Sequence, residues 1–291
     1  MDGGMDITAK VSSLATRVQE LLKSSGPEAN PGVVSWLKEV ESLLPRLSDG
    51  AAMKLGPHAA SVDNLRLAAR NAVQHLLKAP WLTSETKSEL SGFLERVPAA
   101  RQVGKYRFSS DWMSKCEADW KQVLAPLAGK PGVQALEIGS FEGRSAIWLL
   151  ENVLTHPTSG LVCVDLFDSD YVKLFDENIA ASGAAGRVTK RPGRSGAVLR
   201  TLPPEPTYDF IYVDGSHRAF DVLEDAVLSW PLLKPGGWMI FDDYGMASAQ
   251  LTGRSSNSRP DIGIDAFLSA AFDRFELIKK DFQLTIRKNL D

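Results

Sequence analysis

Two different hydrophobic periodicities divide the chain. Ile7, Val11, Leu14, Val18, Leu21 and Leu22 recur at helical spacing, and after a Ser-Ser-Gly-Pro break at 24–27 the spacing resumes with Val33, Trp36, Leu37, Val40, Leu43 and Leu44. A third stripe runs through Leu65, Ala68, Ala69, Val73, Leu76 and Leu77, and Trp81, Leu90, Phe93 and Leu94 mark a shorter fourth helix before Pro98. No polar constellation interrupts these stripes, so they predict a small helical bundle whose apolar faces form a core or a seam between copies of the chain. From about Val133 onward, short β-branched runs alternate with helical runs. They predict strands at 133–138, 161–165, 187–190, 209–214, 238–242, 275–280 and 283–287. This alternation is that of an α/β doubly wound, mostly parallel seven-stranded sheet covered on both faces by helices. Almost nothing separates the last two strands, so they must pair as a hairpin that makes one strand antiparallel. The expected organisation is a helical accessory domain over 1–104 followed by an α/β domain over 105–291.

Composition narrows the partners. Lys and Arg number 33 against 36 Asp and Glu, a net charge of -3, and no basic stripe offers an electrostatic footprint for nucleic acid or an anionic membrane. A small molecule or a short peptide is the expected partner. Cys116 and Cys163 lie outside any CxxC spacing, which fits a reducing compartment. No apolar run is long enough to span a bilayer, and Met1-Asp2-Gly3-Gly4 shows no charged n-region leading into an apolar h-region. The cytoplasm is therefore the expected location.

The most informative stretch is Leu136-Glu137-Ile138-Gly139-Ser140-Phe141-Glu142-Gly143, which runs directly into a helical segment from Arg144 to Val153. A strand ending in an acid, a close-approach turn and a helix N-terminus is suited to holding a cofactor. Glu137 precedes the first glycine, and the second follows four residues later, a departure from the Gly-x-Gly-x-x-Gly of dinucleotide enzymes. The spacing suits S-adenosylmethionine better than NAD.

Further motifs follow in order: Asp165 closing Val162-Cys163-Val164-Asp165, then Asp214-Gly215-Ser216-His217, Pro235-Gly236-Gly237 and Phe241-Asp242-Asp243-Tyr244. With the Glu137-to-Gly143 turn, they make the segment from about Phe108 to Arg287 resemble a class I S-adenosylmethionine-dependent methyltransferase with a Rossmann-like sheet. More narrowly, the segment resembles the metal-dependent O-methyltransferases of the macrocin and mycinamicin type, with catechol O-methyltransferase a more distant relative. The resemblance covers about two-thirds of the chain and leaves out the N-terminal helices.

In an open parallel sheet, ligands lie outside the carboxyl ends of the strands, where all the motif acids fall. Gly139 and Gly143 are expected to let the backbone approach the cofactor. Asp165 is placed to accept hydrogen bonds from both ribose hydroxyls; the alternative is a surface acid at a strand end. Gly193-Arg194-Ser195 lines the adenine side or is a turn with a helix cap at Ser195. The expected cofactor-binding set is Glu137, Gly139, Ser140, Gly143, Asp165, Ser195 and Asp214.

Asp214, Asp242 and Asp243 terminate two strands expected to be neighbours about 4.8 Å apart. Unpaired, these carboxylates would repel. A hard cation best explains them, and oxygen-only ligation favours Mg2+ or a similar divalent ion. The resemblance implies the same ligands, Asp214, Asp242 and Asp243. Consecutive strand residues face opposite ways, so Asp242 and Asp243 both reach one ion only if the strand has ended, and Asp243 is the geometrically doubtful ligand. The alternative is loop or capping acids without a metal.

Methyl transfer from a sulfonium is an in-line displacement whose nucleophile must arrive aligned and largely deprotonated. His217, three residues after Asp214, is the expected base, and mycinamicin-type enzymes have a histidine at the matching place. The alternative is a histidine that only closes the first turn of the next helix. Asp221, Glu224 and Asp225 are read as a solvated helix face. The polar connection from Tyr244 to Gly263 reads as a lid or binding loop, in which Arg254 and Arg259 either contact an anionic acceptor or keep the loop soluble. Tyr106, Phe108 and Trp112 are assigned to packing.

The expected activity is divalent-metal-assisted O-methylation of a hydroxyl on a small molecule or natural product, with His217 and Asp214 as the catalytic pair. The helical bundle would shape the substrate mouth or form a homo-oligomer interface. The rivals are a metal-independent carboxyl O-methyltransferase acting on a peptide or small acid, and an inactive S-adenosylmethionine-binding scaffold.

Overall fold

A computed structural model describes residues 17, 20, 29–43, 58–97, 99–168, 171–246 and 258–290. The helix expected over 7–22 and the body of the 244–263 connection, Arg254 included, fall largely outside the described residues. The chain divides into two compact units, Met1–Glu117 and Ala118–Asp291.

In the first unit, helices α1 (Asn30–Leu43), α2 (His58–Leu76) and α3 (Ser84–Arg96) share a core that includes Val33, Trp36, Val40, Val73, Leu76, Leu90 and Phe93. These are the stripe positions, spaced so that one face of each helix is apolar. Thr83 caps α3, its hydroxyl accepting from the Thr86 N–H at 3.2 Å. A small hairpin follows, β1 (Arg101–Val103) paired antiparallel with β2 (Tyr106–Phe108), which periodicity had not indicated. Tyr106 and Phe108 are buried in it, whereas Trp112 beyond it is exposed. Among the described residues, no helix is long and apolar enough to cross a membrane.

After α4 (Glu117–Val123), the second unit runs β3 (Gln134–Ile138), α5 (Arg144–Asn152), β4 (Gly160–Asp165), α6 (Tyr171–Ser182), β5 (Val188–Pro192), α7 (Ser195–Leu199), β6 (Tyr208–Val213), α8 (Ala219–Ser229), β7 (Leu233–Phe241), α9 (Pro260–Ala270), β8 (Phe275–Lys280) and β9 (Leu284–Lys288). The sheet order is β5-β4-β3-β6-β7-β9-β8. Strands β3 to β7 pair in parallel, and β9 inserts antiparallel between β7 and β8. The central strands are nearly continuous apolar runs because helices cover both faces: Leu136, Ile138, Ile211, Met239, Phe241, Leu284 and Ile286 are buried in one core. The edges are polar, with Lys190 and Arg191 on β5 and Lys279 and Lys280 on β8, which discourages pairing with another chain.

Strand order reverses beside β3, since β4 and β5 lie on one side and β6 on the other. In open parallel sheets, ligands bind beyond the carboxyl ends of the strands at such a switch point, here those of β3 and β6. The fifth parallel strand begins earlier than periodicity indicated. Pro235-Gly236-Gly237 lies inside β7, where the pairing with β6 shifts register between Tyr208 and Phe210, and Gly236 takes a φ of 75°.

Candidate active site

Three backbone hydrogen bonds carry the parallel ladder past the strand ends. Gly139 donates to the Val164 carbonyl at 2.8 Å, Asp214 to the Ile138 carbonyl at 2.8 Å and Asp242 to the Val213 carbonyl at 3.0 Å. The ends of β4, β3, β6 and β7 are thereby set side by side, with Asp165, Glu137, Asp214 and Asp242 at or beside them. Among the described residues, the non-glycine positions with left-handed backbone are Phe141 (φ 45°), Phe167 (φ 51°) and Asp243 (φ 57°). All three fall just beyond those same strand ends. Backbone held in a sparsely populated region is concentrated at this rim, as is common at binding sites.

Gly139, at φ 87°, cannot be replaced without collision: a Cβ there would overlap the carbonyl oxygen of Asp214. The space it leaves is used by the neighbouring strand end, so the fold itself requires this glycine. Gly143, at φ 79°, caps the start of α5, and a Cβ there would press on the Phe175 ring at 3.1 Å. The expectation that both glycines serve a cofactor's approach is thus joined by a packing requirement from within the chain.

Glu137 is fully buried. Its carboxylate accepts from the Ser145 hydroxyl at 2.5 Å and from the Cys163 thiol at 3.5 Å. Burial pushes its pKa up to about 7, against the opposing pull of these hydrogen bonds. The folded protein therefore keeps a proton on Glu137 that the unfolded chain releases near pH 4.5. The stability this group supplies is complete below that pH and is lost as pH rises to about 7, roughly 3 kcal/mol in all. Glu137→Gln should remove this dependence: in urea unfolding at pH 4.5 and pH 8, the parent loses about 3 kcal/mol more than the variant. Parallel pH dependences would contradict the assignment.

Asp165 ties three segments together. Its Oδ2 accepts from the backbone N–H groups of Ser140 (2.8 Å) and Phe141 (2.9 Å), and its Oδ1 accepts from the Tyr171 hydroxyl at 2.6 Å. Burial and this hydrogen bond push the Tyr171 phenol upward, so it stays protonated and remains a donor. Leu166, immediately after Asp165, is 48% exposed. Leu166 thus sets apolar surface beside the Asp165 carboxylate. Ser195 opens α7 as its first residue, while the cap position belongs to Arg194, which makes no side-chain cap bond. Arg194, not Ser195, is therefore the cap residue of α7.

The acids gather as a second cluster. Single ligand atoms of Asp214, His217 and Asp243 all lie within 4.8 Å of one another. His217 Nε2 is 2.8 Å from Asp243 Oδ2. The geometric doubt fell on Asp243, yet Asp243 joins this cluster, because β7 ends at Phe241 and the left-handed backbone at Asp243 cancels the strand alternation. Asp242 Oδ1 accepts from Gln283 Nε2 at 2.8 Å. Burial, then the charges of Asp242 and Asp243, hold the Asp214 carboxyl well above its ordinary range, with a hydrogen bond from the Tyr212 hydroxyl (3.1 Å) opposing. Oxygen donors crowded beyond what their own charge favours, with one imidazole, fit a hard divalent cation.

The helix after His217 departs from expectation. Asp225 is buried rather than solvated, and burial pushes it up to about 6. Asp221 accepts from the Ser216 hydroxyl at 2.7 Å, and Glu224 pairs with Arg200 at 2.7 Å. Arg259 pairs with Asp261 at 2.7 Å, and its backbone N–H donates to the His217 carbonyl at 2.9 Å, tying the start of α9 to the histidine loop. Ser145, Tyr171, Tyr212 and Gln283 lie outside the sequence motifs. Tyr212 lies two residues before Asp214, near enough in the chain for its hydroxyl to reach the acid at 3.1 Å; Gln283 carries no local signal.

Residues 136–244 match a family described as a methyltransferase domain. Over 124 residues, 42% of this chain, the sequence is 27% identical to uncharacterized protein R132 of Acanthamoeba polyphaga mimivirus, and it spans 56% of that relative's length. Among solved structures, the O-methyltransferase from Bacillus cereus in complex with SAH aligns with 18% identity and a TM-score of 0.47, over 76% of this chain and 91% of its own. The MycE methyltransferase from the mycinamycin biosynthetic pathway, in complex with Mg, SAH and mycinamycin VI, aligns with 17% identity and a TM-score of 0.45, over 62% and 50%. The match on residues 136–244 takes in the strand ends of β3, β4, β6 and β7, so this part of the second unit is similar to a methyltransferase domain.

Proposed function

We propose that the chain is a divalent-metal-assisted O-methyltransferase acting on a hydroxyl of a small molecule. The observation that carries this reading is the Asp214, His217 and Asp243 cluster beside the switch-point strand ends, one strand away from the Glu137 and Gly139 turn. When bound, S-adenosylmethionine supplies the electrophilic methyl group, and a divalent cation supplies Lewis acidity that makes an acceptor hydroxyl a stronger acid.

The residues divide the remaining work. Asp165 would hold the ribose diol, with Leu166 against the adenine. Asp214, Asp242 and Asp243 would hold the cation. His217, its Nε2 against Asp243 and its side chain about half exposed, would take the acceptor's proton as the hydroxyl attacks. The partners proposed are a small-molecule or short-peptide acceptor and a second copy of the chain through the N-terminal helices.

One observation favours a second reading. The His217–Asp243 contact at 2.8 Å already gives one acid a partner without a cation, as a metal-independent carboxyl methyltransferase would need. Chelation separates the two. Transfer of labelled methyl from S-adenosylmethionine should fall at least about tenfold in EDTA and return with excess Mg2+. Activity that survives EDTA would select the metal-independent enzyme.

A further inference from the structure

Behind the acid cluster runs a chain of hydrogen bonds whose direction is fixed at every step. Trp120 Nε1, on α4, donates to Gln283 Oε1 at 2.8 Å. An indole N–H can only donate, so the Gln283 amide must turn its oxygen toward Trp120 and its nitrogen toward the site. That nitrogen has two hydrogens. One reaches Asp242 Oδ1 at 2.8 Å and the other the Tyr212 oxygen at 3.4 Å. Tyr212 then donates its hydroxyl to Asp214 Oδ2 at 3.1 Å. One amide, anchored by one indole, thus serves both strand-end acids.

The anchor is rigid. Trp120 is 1% exposed, and its ring meets those of Trp148, Phe210 and Tyr212 edge-on at centroid distances of 5.4, 5.7 and 4.7 Å. Gln283 sits in the turn of the β8–β9 hairpin, the element that makes this sheet end antiparallel. The hairpin therefore does more than close the sheet edge: it delivers a donor to acids on two parallel strands.

We propose that Gln283 and Tyr212 are positioning residues for the cation site. They fix the rotamers of Asp242 and Asp214 and partly offset their mutual repulsion, with Trp120 setting the polarity of the relay. The inference rests on the metal reading of the acid cluster. Partners behind a ligating carboxylate typically contribute about 10- to 100-fold in metal affinity.

The test is isothermal titration with Mn2+ and, separately, with S-adenosylhomocysteine, on the parent, Gln283→Leu, Tyr212→Phe and Trp120→Phe. Gln283→Leu should weaken Mn2+ at least about tenfold and leave S-adenosylhomocysteine within about twofold, with methyl transfer recovering at saturating Mn2+. Tyr212→Phe and Trp120→Phe should shift Mn2+ in the same direction by less. Unchanged Mn2+ affinity in Gln283→Leu and Tyr212→Phe overturns the proposal. So does a parallel loss of both ligands, which would mark general damage to the fold. Tyr212→Phe deletes a single oxygen and keeps the ring packed on Trp120, so it decides the matter if Gln283→Leu does not fold. A parent that binds S-adenosylhomocysteine but not Mn2+ would overturn the metal reading, and this proposal with it.

Discussion

Asp214→Asn is expected to lower kcat by about a thousandfold or more while leaving S-adenosylhomocysteine affinity within about twofold. The asymmetry follows from where the side chain sits. Asp214 faces Asp243 and His217, and its hydroxyl donor is Tyr212, whereas the groups around the cofactor turn are tied to Asp165 and Glu137. The same substitution should raise stability once metal is chelated. Asp214 is held above its ordinary pKa by burial and by Asp242 and Asp243, so its ionised form opposes folding. A carboxyl with a raised folded pKa supplies stability below its unfolded pKa and loses it as pH rises. In EDTA, then, Asp214→Asn should melt higher than the parent at pH 8, with the gap closing near pH 4. Calorimetry at the two pH values and titration with S-adenosylhomocysteine check both halves. A variant that loses cofactor binding in step with turnover would show that Asp214 serves the cofactor rather than the cation.

The frame of this site was legible in the sequence because the sheet is parallel and buried. Apolar runs such as Val162 to Val164 and Phe210 to Val213 announce inner strands, and an acid after such a run must lie at the carboxyl edge. The pattern failed where backbone geometry departs from regular strand or helix exposure. Pro235-Gly236-Gly237 reads as a turn, yet β7 absorbs it as a register shift. Asp243 reads as facing away from Asp242, but alternation holds only within a strand, and β7 has ended two residues earlier. Asp225 reads as part of a charged, solvated helix face, and only tertiary packing reveals its burial. Gln283 was unreadable for another reason. Its partner Asp242 lies 41 residues away and its anchor Trp120 lies 163 away, and no spacing rule links a hairpin turn to a helix before the first parallel strand.

His217→Ala should cost about 10²- to 10⁴-fold in kcat with little change in Mn2+ affinity, the signature of a lost general base rather than a lost ligand. The structure gives both roles a foothold, because the imidazole belongs to the same 4.8 Å group as Asp214 and Asp243. What favours the base is its orientation. Nε2 is held by Asp243 at 2.8 Å, and the side chain is 48% exposed, so one edge of the ring is fixed while the residue stays open to an incoming acceptor. A proton taken from the acceptor would leave an imidazolium beside the Asp243 carboxylate, a charge arrangement the pair is built to favour. The loop is fixed as well, since the His217 carbonyl accepts from the Arg259 N–H at 2.9 Å. If His217 is the base, kcat in the parent should rise with pH, and this limb should vanish in His217→Ala. Loss of Mn2+ binding by tenfold or more would make His217 a ligand. Unchanged kcat and affinity would leave it closing the first turn of α8, with Asp243 free to act without it.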